Sequence, residues 1–190
     1  KPHQSNAAGE IQRILEKRIL VDMVEVKAGP FTCGSDAPDE QPARKYDLPR
    51  FWIERTEVTN EAYARFLRAT GRESPDQWVD GVFLAGRERF PVVNVTYEDA
   101  SAYATWVGKS IPTEFEWEKA ARGADGRLYP WGDDFDKRLA HLATVDVGEA
   151  ESAFEVGLHQ EDRSPCGALD MLGNVQEWTS SRYERYPWGT

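Results

Sequence analysis

The sequence is poor in the residues that build covalent or metal frameworks. Two cysteines, Cys33 and Cys166, stand far apart in 190 residues, well below the density at which disulfides carry a fold. Their scarcity fits a reducing, cytoplasmic setting. The three histidines, His3, His141 and His159, share no metal-site spacing. Cationic residues are scarce as well. With 23 Lys and Arg against 33 Asp and Glu, the net charge is −10, the wrong sign for a surface that binds nucleic acid or an anionic membrane. No apolar run approaches the roughly 18 residues that cross a bilayer, and the first twenty residues lack the apolar core of a signal peptide. Lys1 is not a translational start, so the chain is expected to begin within a longer product.

Aromatic residues, by contrast, are plentiful: 7 Trp, 7 Tyr and 8 Phe are too many rigid apolar rings for a disordered acidic chain. A soluble, loop-rich globular domain with an aromatic core is expected. Trp78, Trp131 and Trp188 are candidates for an aromatic ligand surface, although most Trp in such a fold anchor the core.

Residues 1–20 read as a polar linker followed by a short amphipathic helix with Ile11, Ile14, Leu15 and Ile19 on one face. From Val21 the period changes. Val24, Val26 and Phe31, around Gly29-Pro30 and Gly34-Ser35, predict short strands, and Phe51, Trp52 and Ile53 run into Glu57-Val58 as a further strand. Three helices are each announced by a threonine. Thr59 precedes a face of Ala62, Tyr63, Phe66 and Leu67 that stops at Gly71. Thr96 precedes Ala100, Tyr103, Ala104 and Val107, with Gly108 closing. Thr113 and Glu116 form a full capping box before Trp117, Ala120 and Ala121, and Gly123 ends that helix. Glu114, Glu116 and Glu118 spread around this helix, so capping and solvation account for them better than acid/base chemistry. Residues 134–168 have no regular period, and so long an irregular stretch needs an organiser such as bound metal.

Six blocks then become specific: Gly29-Pro30-Phe31-Thr32-Cys33-Gly34-Ser35; Thr56-Glu57-Val58-Thr59-Asn60; Pro91-Val92-Val93-Asn94-Val95-Thr96; Ile111-Pro112-Thr113-Glu114-Phe115-Glu116-Trp117-Glu118-Lys119-Ala120-Ala121-Arg122-Gly123; Tyr129-Pro130-Trp131-Gly132-Asp133; and Asp170-Met171-Leu172-Gly173-Asn174-Val175-Gln176-Glu177-Trp178-Thr179-Ser180. Together they resemble the sulfatase-modifying-factor family, whose founding activity is the formylglycine-generating enzyme. The resemblance implies an α+β fold of the C-type lectin-like kind: a small antiparallel sheet, flanking helices and little regular structure elsewhere. The domain is expected over residues 21–190, incomplete at its C-terminus.

The loop from Asp170 to Glu177 is the candidate metal site. Calcium takes six to eight oxygens from carboxylates and main-chain carbonyls. The resemblance implies a calcium ion on Asp170, Glu177 and the carbonyls of Gly173 and Val175. The residues alone leave open that Glu177 only caps backbone N–H groups beside Trp178. Active members of the family hold copper(I) on a cysteine pair, as soft thiolates do, and oxidise a substrate cysteine to formylglycine. That pair belongs to a segment beyond the Gly-Asn-x-x-Glu-Trp block, and this sequence ends at Thr190. Cys33 and Cys166 read instead as inert thiols in a strand and a turn. Gln176 stands where the family usually has Trp. The expected function is therefore a non-catalytic domain that binds a protein or small-molecule ligand. Variable proteins of bacterial diversity-generating retroelements share this scaffold. The alternative is a copper-dependent formylglycine-generating oxidase that lacks its catalytic segment here.

Overall fold

The computed structural model describes residues 21–37, 40, 42–142 and 153–182; the helix expected over residues 10–20 lies outside them. Among the described residues four short strands precede three helices: β1 Met23–Val26, β2 Gly29–Cys33, β3 Arg44–Leu48, β4 Phe51–Glu54, α1 Asn60–Thr70, α2 Tyr97–Trp106 and α3 Glu114–Arg122. The strands nest. β1 pairs antiparallel with β4, and β2 with β3, so the one small sheet expected from the resemblance is present as two two-stranded ladders.

Alternation explains which side chains enter the core. Val24 and Val26 of β1 and Phe31 and Cys33 of β2 are buried. β3 has no such pattern in Arg44-Lys45-Tyr46-Asp47-Leu48, and nothing in its residues predicts a strand. It forms because Phe31 lies opposite Tyr46 in the register and Tyr46 continues onto Phe115 of α3 with ring centroids 4.8 Å apart. β4 ends at Glu54, short of the predicted run to Val58.

All three helix starts are capped as the threonines predict. The side chains of Thr59, Thr96 and Thr113 accept from the N–H groups of Ala62, Asp99 and Glu116, and the last is a complete capping box. α1 stops at Gly71, in the left-handed region at φ 69°. α2 ends earlier than predicted, with Val107 as its cap and Gly108 following at positive φ.

The core is divided. One cluster joins Val24 and Val26 to Ala120, Ala121, Ala168 and Met171, with Phe51, Ile53, Trp117 and Cys166 against it. The other joins α1 and α2 through Tyr63, Phe66, Leu67 and Tyr103, with Trp78. Small residues let α3 approach the 164–171 loop closely. A Cβ on Gly123 would lie 2.8 Å from Pro165 Cγ.

Beside the first cluster sits a polar joint. Glu118 accepts from Gly34 N–H at 2.8 Å and from the Cys33 thiol at 2.8 Å, and it pairs with Arg122. Arg122 in turn donates to the carbonyls of Gly34 and Arg127. Lys119 is buried and donates to Gly29 O at 2.7 Å. The expectation that the α3 glutamates serve only capping and solvation therefore fails at Glu118, whose side chain is only 13% exposed. A charge so placed is tolerated because Cys33, Gly34 and Arg122 all donate to it. Among the described residues no helix is long and apolar enough to cross a membrane.

Two outcomes follow from these contacts. Removing one partner of a buried, bonded pair costs about 3–5 kcal/mol, so Glu118→Ala should lower unfolding stability by that order in urea titration; a loss no larger than that of an exposed Glu→Ala control refutes the joint. Asp99 is held below the ordinary carboxylate range by its Arg72 bond and then by Thr96. A depressed folded value means the native state binds that proton less readily, so the stabilisation is present above the ordinary Asp value and is lost as pH falls through the folded one. Asp99→Asn should flatten the acid limb of a melting-temperature profile, whereas an unchanged limb contradicts the assignment.

Candidate functional site

The 170–177 loop is built on buried main-chain anchors. Asp162 is fully buried, and its Oδ2 accepts from the N–H groups of Leu172 and Gly173 at 3.0 and 3.1 Å. Asp170 N–H returns to Asp162 O at 3.0 Å. Asn174 donates its N–H to His141 O at 2.7 Å, accepts from Phe154 N–H at Oδ1, and donates from Nδ2 to Glu57 Oε1 at 2.8 Å. Asp170 and Asn174 both adopt positive φ, at 58° and 65°, conformations that Asp and Asn accept more readily than other side chains. The loop is thus over-determined by its surroundings.

These anchors collect carboxylates. Glu57, at the junction from β4 to α1, faces Asp170 and Glu177. Burial, then the charges of Glu177 and Asp170, push Glu57 up to about 9. With both groups ionised, Glu57 Oε2 is buried and has no partner; a proton there turns it into a donor to Asp170. Burial also raises Asp170, against the Gly157 N–H bond that lowers it, and raises Asp162. Glu177 opens to solvent at the loop surface yet is crowded by protein atoms, which lift it to about 6 despite the bond it accepts from Trp117 Nε1 at 3.0 Å. Burial away from water is the largest cause in each case, and at Glu57 and Glu177 like-charge repulsion adds to it.

Of the four predicted ligands, Asp170 is buried and bonded to Gly157 N–H through Oδ2. Glu177 accepts from an indole, and no backbone N–H of the described residues bonds it as the alternative reading has it. The carbonyls of Gly173 and Val175 accept no hydrogen bond from the described residues. Among those residues no three His, Cys, Asp or Glu side chains form a metal-holding group, so a cation here must draw on main-chain oxygen. Two carbonyls that no described residue bonds, mutually repelling carboxyls and a Glu57 oxygen without a partner among the described residues make a hard-oxygen environment whose chemistry fits calcium.

The fold also assembles what spacing concealed. The rings of His141 and His159 stack with centroids 5.6 Å apart, and Phe154 lies edge-on to His141. Trp78 is a core anchor and Trp131 stacks on Tyr129; Trp188 lies outside the described residues. Two exposed indoles flank a different feature, a cleft of about 450 Å³ between the two core clusters. Trp52 and Trp178, 40% and 50% exposed, line it with Phe51, Tyr103 and Gln176. Neither cysteine reaches it. Cys33 is committed to Glu118, and Cys166 to Ala120 O and Ser164.

Sequence reasoning missed Glu57 and Asp162. The signal for Glu57 was an acid two residues before the helix cap Thr59, followed by the apolar Val58; Asp162 carries no local signal, because its partners lie ten and eleven residues away. Gly173 has its own constraint. A Cβ there would meet His141 O at 2.3 Å and His141 N at 2.8 Å, both backbone atoms that cannot swing aside. Gly173→Ala should therefore destabilise the domain by about 1–3 kcal/mol, the range for forced overpacking, in chemical denaturation; wild-type stability in that variant rules out the close approach.

Comparison with known proteins places this geometry. The family model described as "Sulfatase-modifying factor enzyme 1-like domain" matches residues 12–188. The serine/threonine-protein kinase Pkn1 of Chlamydia trachomatis serovar L2 is 33% identical over 92% of this chain, which spans only 30% of that protein. The inactive C-alpha-formylglycine-generating enzyme 2 of Bos taurus is 33% identical over 86% of this chain and 72% of its own length. The crystal structure of CarF superposes with a TM-score of 0.61 at 23% identity, covering 86% of this chain and 81% of that one, and so shares the fold. With the model match running nearly end to end and the scaffold blocks in place, the chain belongs to the sulfatase-modifying-factor enzyme 1-like (formylglycine-generating enzyme) domain family.

Proposed function

We propose that this chain is a non-catalytic domain that binds a protein or small-molecule ligand on the formylglycine-generating type of scaffold, with one calcium ion supporting its 170–177 loop. The observation that carries this reading is the fate of the sulfurs. Copper(I) chemistry needs paired thiolates, and both thiols of this chain are spent on core contacts away from the cleft, which presents Gln176 instead. The inactive label of the Bos taurus relative is consistent with a family in which the scaffold outlives the chemistry. A variable protein of a diversity-generating retroelement, acting in the cytoplasm, is the specific form we favour.

Calcium has a structural part in this scheme. Asp170 and Glu177, with the Gly173 and Val175 carbonyls, supply hard oxygens, and the ion removes the repulsion among Glu57, Asp170 and Glu177. The second reading, a copper-dependent oxidase whose catalytic segment lies outside this sequence, draws on the family itself.

Two measurements decide between these. Calcium at about a hundredfold excess over its dissociation constant stabilises by about 2.7 kcal/mol, so the melting temperature should rise by several degrees relative to chelator, and Glu177→Ala should remove the increment. Identical curves with and without calcium take the ion out of the proposal. Incubation of the protein extended to the end of its reading frame with copper(I), oxygen and a cysteine-containing sulfatase-type peptide should yield no aldehyde by mass spectrometry; aldehyde formation overturns the non-catalytic reading.

A further inference from the structure

α2 lacks a charged side. Its acids, Glu98 and Asp99, stand in the first turn, and from Ala100 to Trp106 the helix carries no charge. Tyr103 and Ala104 are buried on the inner side, Tyr103 against Tyr63 and Phe66 of α1. The outer side is a stripe at helical spacing, Glu98, Ser101, Ala102, Thr105 and Trp106. All five line a groove of about 660 Å³ that α1 completes with Phe66 and Thr70. α1 itself turns Glu61, Arg65 and Arg68 to solvent, as the free side of a surface helix does. A helix without such a side is one that packs on both.

The groove is more apolar than its residue types. Thr70 and Thr105 turn their hydroxyls back to the carbonyls of Phe66 and Ser101, at 2.8 and 2.9 Å, which leaves their methyl groups to the groove. Trp106, 45% exposed, forms one end and rests on Phe66 and Tyr103 with centroids 5.7 and 6.2 Å away. Its indole N–H has no acceptor among the described residues, unlike those of Trp117, Trp131 and Trp178. Glu98, at the other end, has no donor or cation among the described residues either, and the Arg72 guanidinium in the same wall is bonded to Asp99. A donor without an acceptor and an acceptor without a donor thus stand eight residues apart on one stripe, about 12 Å along the axis. Only the small residues Ser101 and Ala102 and the Thr105 methyl lie between them.

We propose that this groove is the contact between two copies of the chain, related by a two-fold axis at Ala102 with their α2 helices antiparallel. Residues equally far from the axis then meet, so Trp106 of each copy enters the groove of the other and its N–H donates to Glu98 there. Ser101 and Ala102 at the crossing let the helix axes approach to about 8 Å. The order of the stripe specifies the occupant: acceptor, small, small, donor is its own complement when reversed. That is the condition for an isologous contact, which closes at two copies. Among the described residues lining the groove only Glu98 and the already paired Arg72 are charged. The net charge of −10 per copy therefore lies mostly elsewhere, where salt screens it beyond about 8 Å. Groove and cleft share no lining residue, so the contact goes beyond the ligand-binding reading and does not rest on it.

Sedimentation of the full chain over a concentration series should show a reversible equilibrium that stops at two copies. Trp106→Ala should weaken association about thirtyfold or more, as the loss of a buried aromatic anchor does. Because Trp106 also packs within its own copy, Thr105→Glu is the second variant. At an exposed position, it sets a carboxylate opposite Asp99 of the other copy and should weaken association as strongly without moving the melting temperature in dilute solution. Glu98→Ala removes a negative charge from each copy, yet it should weaken association about tenfold because the acceptor is gone. A chain that stays monomeric throughout overturns the proposal and leaves the groove to a helix of some other protein. So do assemblies that grow past two copies, a dimer unchanged by Trp106→Ala and Thr105→Glu, or tighter association of Glu98→Ala.

Discussion

Everything in this domain depends on one constraint: main-chain groups in loops must find partners without a ladder to supply them. Long stretches of the chain are irregular, and buried polar side chains take over the role that strands play elsewhere. Asn174 ties four segments together through His141, Phe154 and Glu57. Asp162 holds two successive N–H groups of its loop. Arg122 and Lys119 reach from α3 to the carbonyls of Gly29, Gly34 and Arg127. Each of these side chains is desolvated to do so, which concentrates charge inside a small domain and makes its electrostatics inseparable from its fold.

That constraint also explains the carboxylate group at the centre of the molecule. Glu57 is needed by Asn174, Asp170 by the Gly157 N–H, and Glu177 by the Trp117 indole. Each contact is locally sensible, yet together they bring like charges close enough to shift one another. A scaffold that accepts such crowding has to relieve it, by a proton on Glu57 or by a cation at the loop carbonyls.

The legibility of all this in the sequence was uneven for physical reasons. The helices were readable because capping is local: Thr59, Thr96 and Thr113 act on groups within three residues. β1, β2 and β4 were readable from apolar alternation or runs, while β3 was not, since Tyr46 is its main contact and its partners are supplied by β2 and α3. The loop from Asp170 to Glu177 was visible as a block of residue types. Its third carboxylate, Glu57, was quoted as part of a scaffold motif without a role, because its partners lie more than a hundred positions away. Glu118 was misjudged by helix geometry alone, which cannot see that β2 would lie against that face. The division of the core into two clusters with a cleft between them left no trace in periodicity at all.

The Cys33 thiol offers a last consequence. Its hydrogen points at Glu118, so a thiolate there would place a second negative charge beside the first, in a residue with no exposed surface. Cys166 sits in a partly open turn. The protein therefore carries a built-in clock for its own opening. A thiol reagent can reach Cys33 only when β2 parts from α3, so its modification times the separation of those two elements without any engineered label.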